Sequence, residues 1–237
     1  MKTINGQELK QLFLSGANNL YNHYPEVDQL NVFPVPDGDT GMNMNLTLTS
    51  GAKEIQNRND IDVATISASF SRGLLMGARG NSGVITSQIF KGFSLACEGK
   101  EKLNVKEIAA AFVEAKNIAY KAVMRPVEGT ILTVIREASE ALKDEVDKKK
   151  DMTVENAFAF LLKAAKKSLA HTPDLLPVLK EVGVVDSGGA GLCIVIEGML
   201  LALRGKFVLR NENLSEGEVS SSVLASPYAG AKLSEGE

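Results

Sequence analysis

The 237 residues, 44% of them hydrophobic, are enough for one large domain or two small ones with a real core. A net charge of −3 gives no basic field for nucleic acid, and the isolated Cys97 and Cys193 indicate neither a disulfide framework nor a zinc site. The N-terminus lacks a charged-then-apolar signal pattern and no run approaches membrane-spanning length, so a soluble cytoplasmic protein is expected.

In chain order, nearly every segment reads as helix. Asn5 with Glu8 forms a capping-box start, and Leu9, Leu12, Phe13, Gly16, Ala17 and Leu20 follow on one face. Pro34-Val35-Pro36-Asp37-Gly38-Asp39-Thr40-Gly41-Met42-Asn43 comes next, stiffened by its prolines. If the backbone is extended through Asp37-Gly38-Asp39, both carboxylates point to one side, and paired hard oxygens on a rigid loop suit Mg²⁺. Taken alone, Asp-Gly-Asp reads more simply as a solvated turn.

A second helix carries Met44, Leu48, Ala52 and Ile55, with Thr40 near its start; Asp60 or Asp62 begins a third, with Val63, Ile66, Phe70 and Leu74. Gly77 to Gly83 breaks the pattern before Ile85, Ile89 and Phe93 resume it as a fourth helix. Asn104 and Glu107 repeat the capping signature ahead of Ile108, Phe112, Ala115 and Ala119. Pro126 to Thr130 interrupts again, and Ile131, Val134, Ile135, Ala138 and Leu142 define a sixth helix.

The charged stretch from Asp144 to Asp151 reads as a solvated connection. Thr153 caps a seventh helix through Leu169, and Thr172-Pro173 reads as a cap and first position of a short segment ending at Val182-Gly183. Asp186-Ser187-Gly188-Gly189-Ala190-Gly191 leads into Leu192 to Leu203, apolar almost all round and expected to be the most buried helix. The expected architecture is an antiparallel all-α domain over residues 1 to about 205. From Asn211 onward, Ser, Glu and Gly dominate, which suggests a disordered tail or an interdomain linker.

Four interruptions place small and polar residues just before a helix start: Asp37 to Asn43, Gly77 to Gly83, Pro126 to Thr130, and Asp186 to Gly191. Helix N-termini expose unpaired N–H groups, and glycines let the backbone approach a phosphate. In an up-and-down bundle, loops an even number of helices apart open at the same end; one irregular connection would align all four. For any single loop, glycines serving tight turns and close packing are the commoner use. Four such loops, one with paired aspartates, favour a phosphate-plus-metal site. There is no P-loop, Gly188-Gly189-Ala190-Gly191 misses the dinucleotide spacing, and an EF-hand fails because Leu48 stands where its last carboxylate belongs.

Asn31 through Met44 closely resembles the signature of bacterial fatty acid kinase catalytic subunits, as do Gly73 to Val84, Lys121 to Thr130 and Val182 to Gly189. The resemblance spans residues 1 to about 208, leaving 209–237 as a flexible acidic tail or linker, and extends to the nucleotide-binding domains of dihydroxyacetone kinases. It implies an eight-helix antiparallel up-and-down barrel (DhaL-like), with ATP and two Mg²⁺ held at one rim. By matching position, Asp37 and Asp39 would be the metal ligands, with Asn31 offering a carbonyl oxygen where dihydroxyacetone kinases carry a further aspartate. Thr40, Asn43, Asn81, Ser82 and Gly83 would meet the phosphates, while Gly129, Thr130, Asp186, Ser187 and Gly188 would close around the nucleotide.

The implied reaction is phosphoryl transfer from ATP to the carboxylate of a fatty acid presented by a separate fatty-acid-binding protein, giving an acyl phosphate. A carboxylate with pKa near ~4–5 is already ionised at neutral pH and needs no strong general base. This fits a chain whose only histidines, His23 and His171, lie outside all four loops. Two alternatives remain open: phosphorylation of dihydroxyacetone held on a partner subunit, and a nucleotide-binding module inactive without the remaining domains of a longer chain.

Overall fold

The computed structural model describes residues 1–212. Its helices are α1 (Gly6–Gln29), α2 (Thr40–Ile55), α3 (Val63–Gly77), α4 (Gly80–Cys97), α5 (Val105–Lys121), α6 (Ile131–Lys148), α7 (Val154–Leu175), α8 (Pro177–Val182) and α9 (Ser187–Leu203). Each long helix packs on the next, α7 packs on α9, and α9 packs on α1, so the eight long helices close into a ring. This is the expected all-α, DhaL-like antiparallel barrel, because short connections between packed neighbours force alternation of direction. The six-residue α8 is the irregular connection that brings α9 into step.

Helical spacing of apolar residues fills the barrel rather than hollowing it. Phe13 stacks on Phe70 with centroids 4.4 Å apart, and Phe90 and Phe93 meet Phe13 edge-on. Phe112 bridges Phe93 to Phe158, so it belongs to the core. On α9 the run from Ser187 to Ile196 is buried throughout, as its apolar composition requires. Burial pushes the thiols of Cys97 and Cys193 up to about 11 and about 12, which leaves both protonated and inert.

One end of the barrel, the floor, holds the starts of α1, α3, α5 and α7. Two short strands, β1 (Thr3–Ile4) and β2 (Leu103–Asn104), pair antiparallel there, with Thr3 opposite Asn104 and Ile4 opposite Leu103. All four floor starts are capped by their own N-cap side chain: Asn5, Asp62, Asn104 and Thr153. Asn5 and Asn104 form full capping boxes with Glu8 and Glu107.

Two sequence expectations need correction. α7 does not stop at Leu169 but continues through Pro173 to Leu175, and the proline that opens the short helix is Pro177. Pro173 has no N–H to give the carbonyl of Leu169, and the Thr172 hydroxyl donates to that carbonyl instead at 2.7 Å. Thr172 is thus a repair within α7 rather than a cap. The second correction concerns the tail. Leu209, Arg210 and Asn211 lie along α1: Asn18 and Asn22 donate to the carbonyls of Val208 and Leu209, both at 2.9 Å. The remainder of the expected tail, 213–237, lies outside the described residues.

Candidate active site

α2, α4, α6 and α9 begin at the other end, the rim, and their first turns surround one open cleft of about 650 Å³. Its lining includes Asn31, Asp37, Asp39, Thr40, Asn43, Asn81, Ser82, Thr130, Asp186, Ser187 and Gly188. Residues separated by up to 157 positions in sequence therefore share one cavity, from Asn31 to Gly188. Gly83 and Gly129, also singled out by sequence, are outside the lining. A Cβ on Gly83 would stand 2.3 Å from the Thr47 hydroxyl, and one on Gly129 would stand 2.8 Å from the Thr172 carbonyl. Both sit where the backbone comes close to neighbouring helices behind the cleft.

A buried hydroxyl ties the rim together. Thr40 Oγ1 donates to Asn31 Oδ1 at 2.6 Å and accepts from the Ser187 hydroxyl at 3.2 Å; Ser82 donates to the Thr40 carbonyl at 3.3 Å. α2, α4 and α9 thus meet at one residue. Asn31 Oδ1 also accepts the amides of Asp39 and Thr40 at 3.2 and 3.1 Å, while its amide nitrogen donates to Val35. With three donors on one carbonyl oxygen, no lone pair is left for a cation. The structure therefore gives Asn31 the shaping of the acidic loop in place of the expected metal ligation.

The rim starts differ from the floor starts. Asp39, Arg79 and Thr130, the N-caps of α2, α4 and α6, make no side-chain capping bond. Asp186 is the exception: it caps α9 through Gly189 N at 2.8 Å and also accepts the first amide of α6, from Ile131. Burial pushes its carboxyl up to about 6 against the pull of those two amides. On α4 the amides of Gly80, Asn81 and Ser82 meet no partner among the described residues, so this helix start is open to an anion. Gly80 adopts φ +62°, and a Cβ there would collide with the Asn43 amide nitrogen at 2.4 Å, so glycine lets Asn43 lie over the α4 start.

Asp37 and Asp39 are exposed in the cleft, and neither side chain has a partner among the described residues. Two free carboxylates on a proline-stiffened loop form a hard-oxygen donor set that fits Mg²⁺. The described residues hold no cluster of three acidic, histidine or cysteine side chains, so phosphate and water must complete any coordination shell. The lining also carries apolar residues, among them Phe33, Val35, Val84, Val123 and Met124, which form an apolar flank to the cleft. Arg125 is the one cationic residue of the lining. Sequence reasoning passed over this flank and Arg125, although both fall within or beside the quoted motifs. It also passed over Asp28, in the last turn of α1.

A family model for the DAK2 domain matches residues 34–201, from the acidic loop into the last helix. The chain belongs to the DAK2 domain family. DAK2 domains are the nucleotide-binding kinase domains of the dihydroxyacetone kinase type. All four rim starts of this DAK2 domain lie inside the matched region. The chain is 52% identical over 205 residues to an uncharacterized protein of Staphylococcus saprophyticus, covering 86% of this chain and 37% of that one. It is 51% identical over 208 residues to protein YloV of Bacillus subtilis, covering 88% and 37%. The chain thus spans little more than a third of the length of these relatives. None of the helices among the described residues is long and apolar enough to cross a membrane.

Proposed function

We propose that this DAK2 domain binds ATP with two Mg²⁺ at the rim cleft and transfers the γ-phosphoryl group to the carboxylate of a fatty acid presented by a separate fatty-acid-binding protein. The observation that carries the reading is the contrast between the two ends of the barrel: a local side chain caps every floor helix start, while at the rim the first turn of α4 is left open and two unpaired carboxylates share its cavity. Asp37 and Asp39 hold the cations, and Mg²⁺ bound there supplies charge neutralisation for the phosphates. The open amides of α4 and the side chains of Asn43, Asn81 and Ser82 orient the phosphate chain, and the apolar flank covers the base.

Phosphoryl transfer depends on positioning and charge more than on covalent assistance. No histidine, cysteine or lysine lines the cleft, which suits an acceptor that arrives already ionised. The four quoted motifs support the fatty acid acceptor, and family membership favours a second acceptor, dihydroxyacetone held on a partner subunit. Calorimetry with ATP, with and without Mg²⁺, is expected to show Mg-dependent binding. Asp37→Ala and Asp39→Ala should each abolish Mg-dependent transfer while the helical circular dichroism is unchanged; undiminished turnover in both rules out the cation assignment. Supplying carrier-bound fatty acid and partner-bound dihydroxyacetone in parallel identifies the acceptor, and ATP binding without transfer to either marks a nucleotide-binding module that needs the rest of a longer chain.

A further inference from the structure

An aspartate at an N-cap ordinarily turns its carboxylate inward to accept the amide of the second or third helical residue. Asp39 occupies that position on α2, where those residues are Gly41 and Met42, yet it makes no such bond. Both amides are taken by Asp28 on the neighbouring helix: Met42 N donates to Asp28 Oδ1 at 3.0 Å, and Gly41 N to the same carboxylate. The approach depends on a glycine, since a Cβ on Gly41 would stand 2.2 Å from the Tyr24 carbonyl and 3.0 Å from Asp28 Oδ1. Asp28 is in the last turn of α1, which carries no basic residue, and an acid there is opposed by its own helix dipole. The α2 start it faces accounts for its position.

We infer that Asp28 is a positioning residue: it caps α2 from the end of α1 and so leaves the Asp39 carboxylate turned to the cleft and available to a cation. Asn31 completes the arrangement by accepting the amides of Asp39 and Thr40. Between them the two residues satisfy the α2 start from outside, and α2 contributes acids to the cleft where α4 contributes amides. The inference rests on the proposed cation role of Asp39.

Four single variants of the chain, Asp28→Ala, Asp28→Asn, Asp39→Asn and Asp39→Ala, and the double variant Asp28→Ala/Asp39→Ala are compared by calorimetric titration of ATP at varied Mg²⁺ and by urea denaturation without metal. In Asp28→Ala the Asp39 carboxylate rotates onto the vacated amides, and Mg²⁺-dependent affinity falls about fivefold to tenfold, the equivalent of one cap. Asparagine retains an acceptor oxygen, so Asp28→Asn stays close to wild type; a loss there as large as in Asp28→Ala makes Asp28 a charge contributor and overturns the inference. Unchanged Mg²⁺ affinity in Asp28→Ala overturns it as well, provided Asp39→Asn is impaired; if Asp39→Asn is not impaired, the cation assignment itself has failed. The capping claim has its own metal-free arm. The stability lost in Asp28→Ala should be small and should grow when Asp39→Ala is added, and strict additivity, or failure of Asp28→Ala to fold, contradicts the takeover of the cap.

Discussion

At Asp186 a buried carboxylate links the first turns of α6 and α9, and its ionisation bears directly on stability. Unfolded, the group titrates near 3.8; folded, burial raises it to about 6. The folded chain holds the proton more tightly, so stability contributed at low pH is lost as the pH rises from about 4 to about 6, by up to about 3 kcal/mol. Urea denaturation across that window should show a falling stability in wild type that Asp186→Asn lacks; parallel curves would assign the slope to another group. Sequence placed Asp186 in the binding loop but could not show that it is buried. That depends on Thr172 of α7 accepting its amide at 3.1 Å and on α6 and α9 closing over it. Asp39 was equally visible as half of an acidic pair, whereas its partner in the α2 start, Asp28, lies on another helix and has no local signal.

Among the elements, the floor and the rim are legible to different degrees for one physical reason. A capping box is a contact between residues three apart, so Asn5–Glu8 and Asn104–Glu107 could be read directly from the chain and are found as read. At the rim, the α2 start and the first amide of α6 are satisfied from other elements, by Asp28, Asn31 and Asp186, which no spacing rule reports, and the α4 start is left open. The segment following α9 behaves similarly. The end of the family resemblance near residue 208 suggested a flexible tail or linker from there on, yet Arg210 donates to Asn18 at 3.1 Å and Thr49 at 2.9 Å while lying 4.5 Å from the centre of the Tyr21 ring. This strap joins α9 to both α1 and α2. Arg210→Ala is expected to lower unfolding stability by about 1–2 kcal/mol. Arg210→Lys should recover only part of that loss, since an ammonium cannot reproduce the fork and the stacking together. Equal urea midpoints for wild type and Arg210→Ala would show that the strap contributes no stability.

On the scale of the whole molecule, the cleft exists only because the ring closes. α1 and α9 are neighbours although they stand at opposite ends of the described chain, and Ser187 reaches Thr40 across 147 positions. A ligand that bridges four helix starts should therefore stabilise the barrel as a unit. Mg-ATP at about a hundredfold excess over its dissociation constant is expected to add about 2.7 kcal/mol, read as a rise in Tm. Asp39→Ala should abolish that rise, and a ligand-induced shift of wild-type size in the variant would place nucleotide binding away from the acidic loop. The sequence by itself determined the all-helical class, the floor caps and the acidic and glycine-bearing loops, because periodicity, capping and turn chemistry act over a few residues. Only the tertiary structure decided that Asn31 braces the loop instead of offering an oxygen, that Asp28 seals α2, and that Asp37 and Asp39 remain unpaired in the cleft. Those outcomes depend on which donors and acceptors meet between helices, and that is settled by packing.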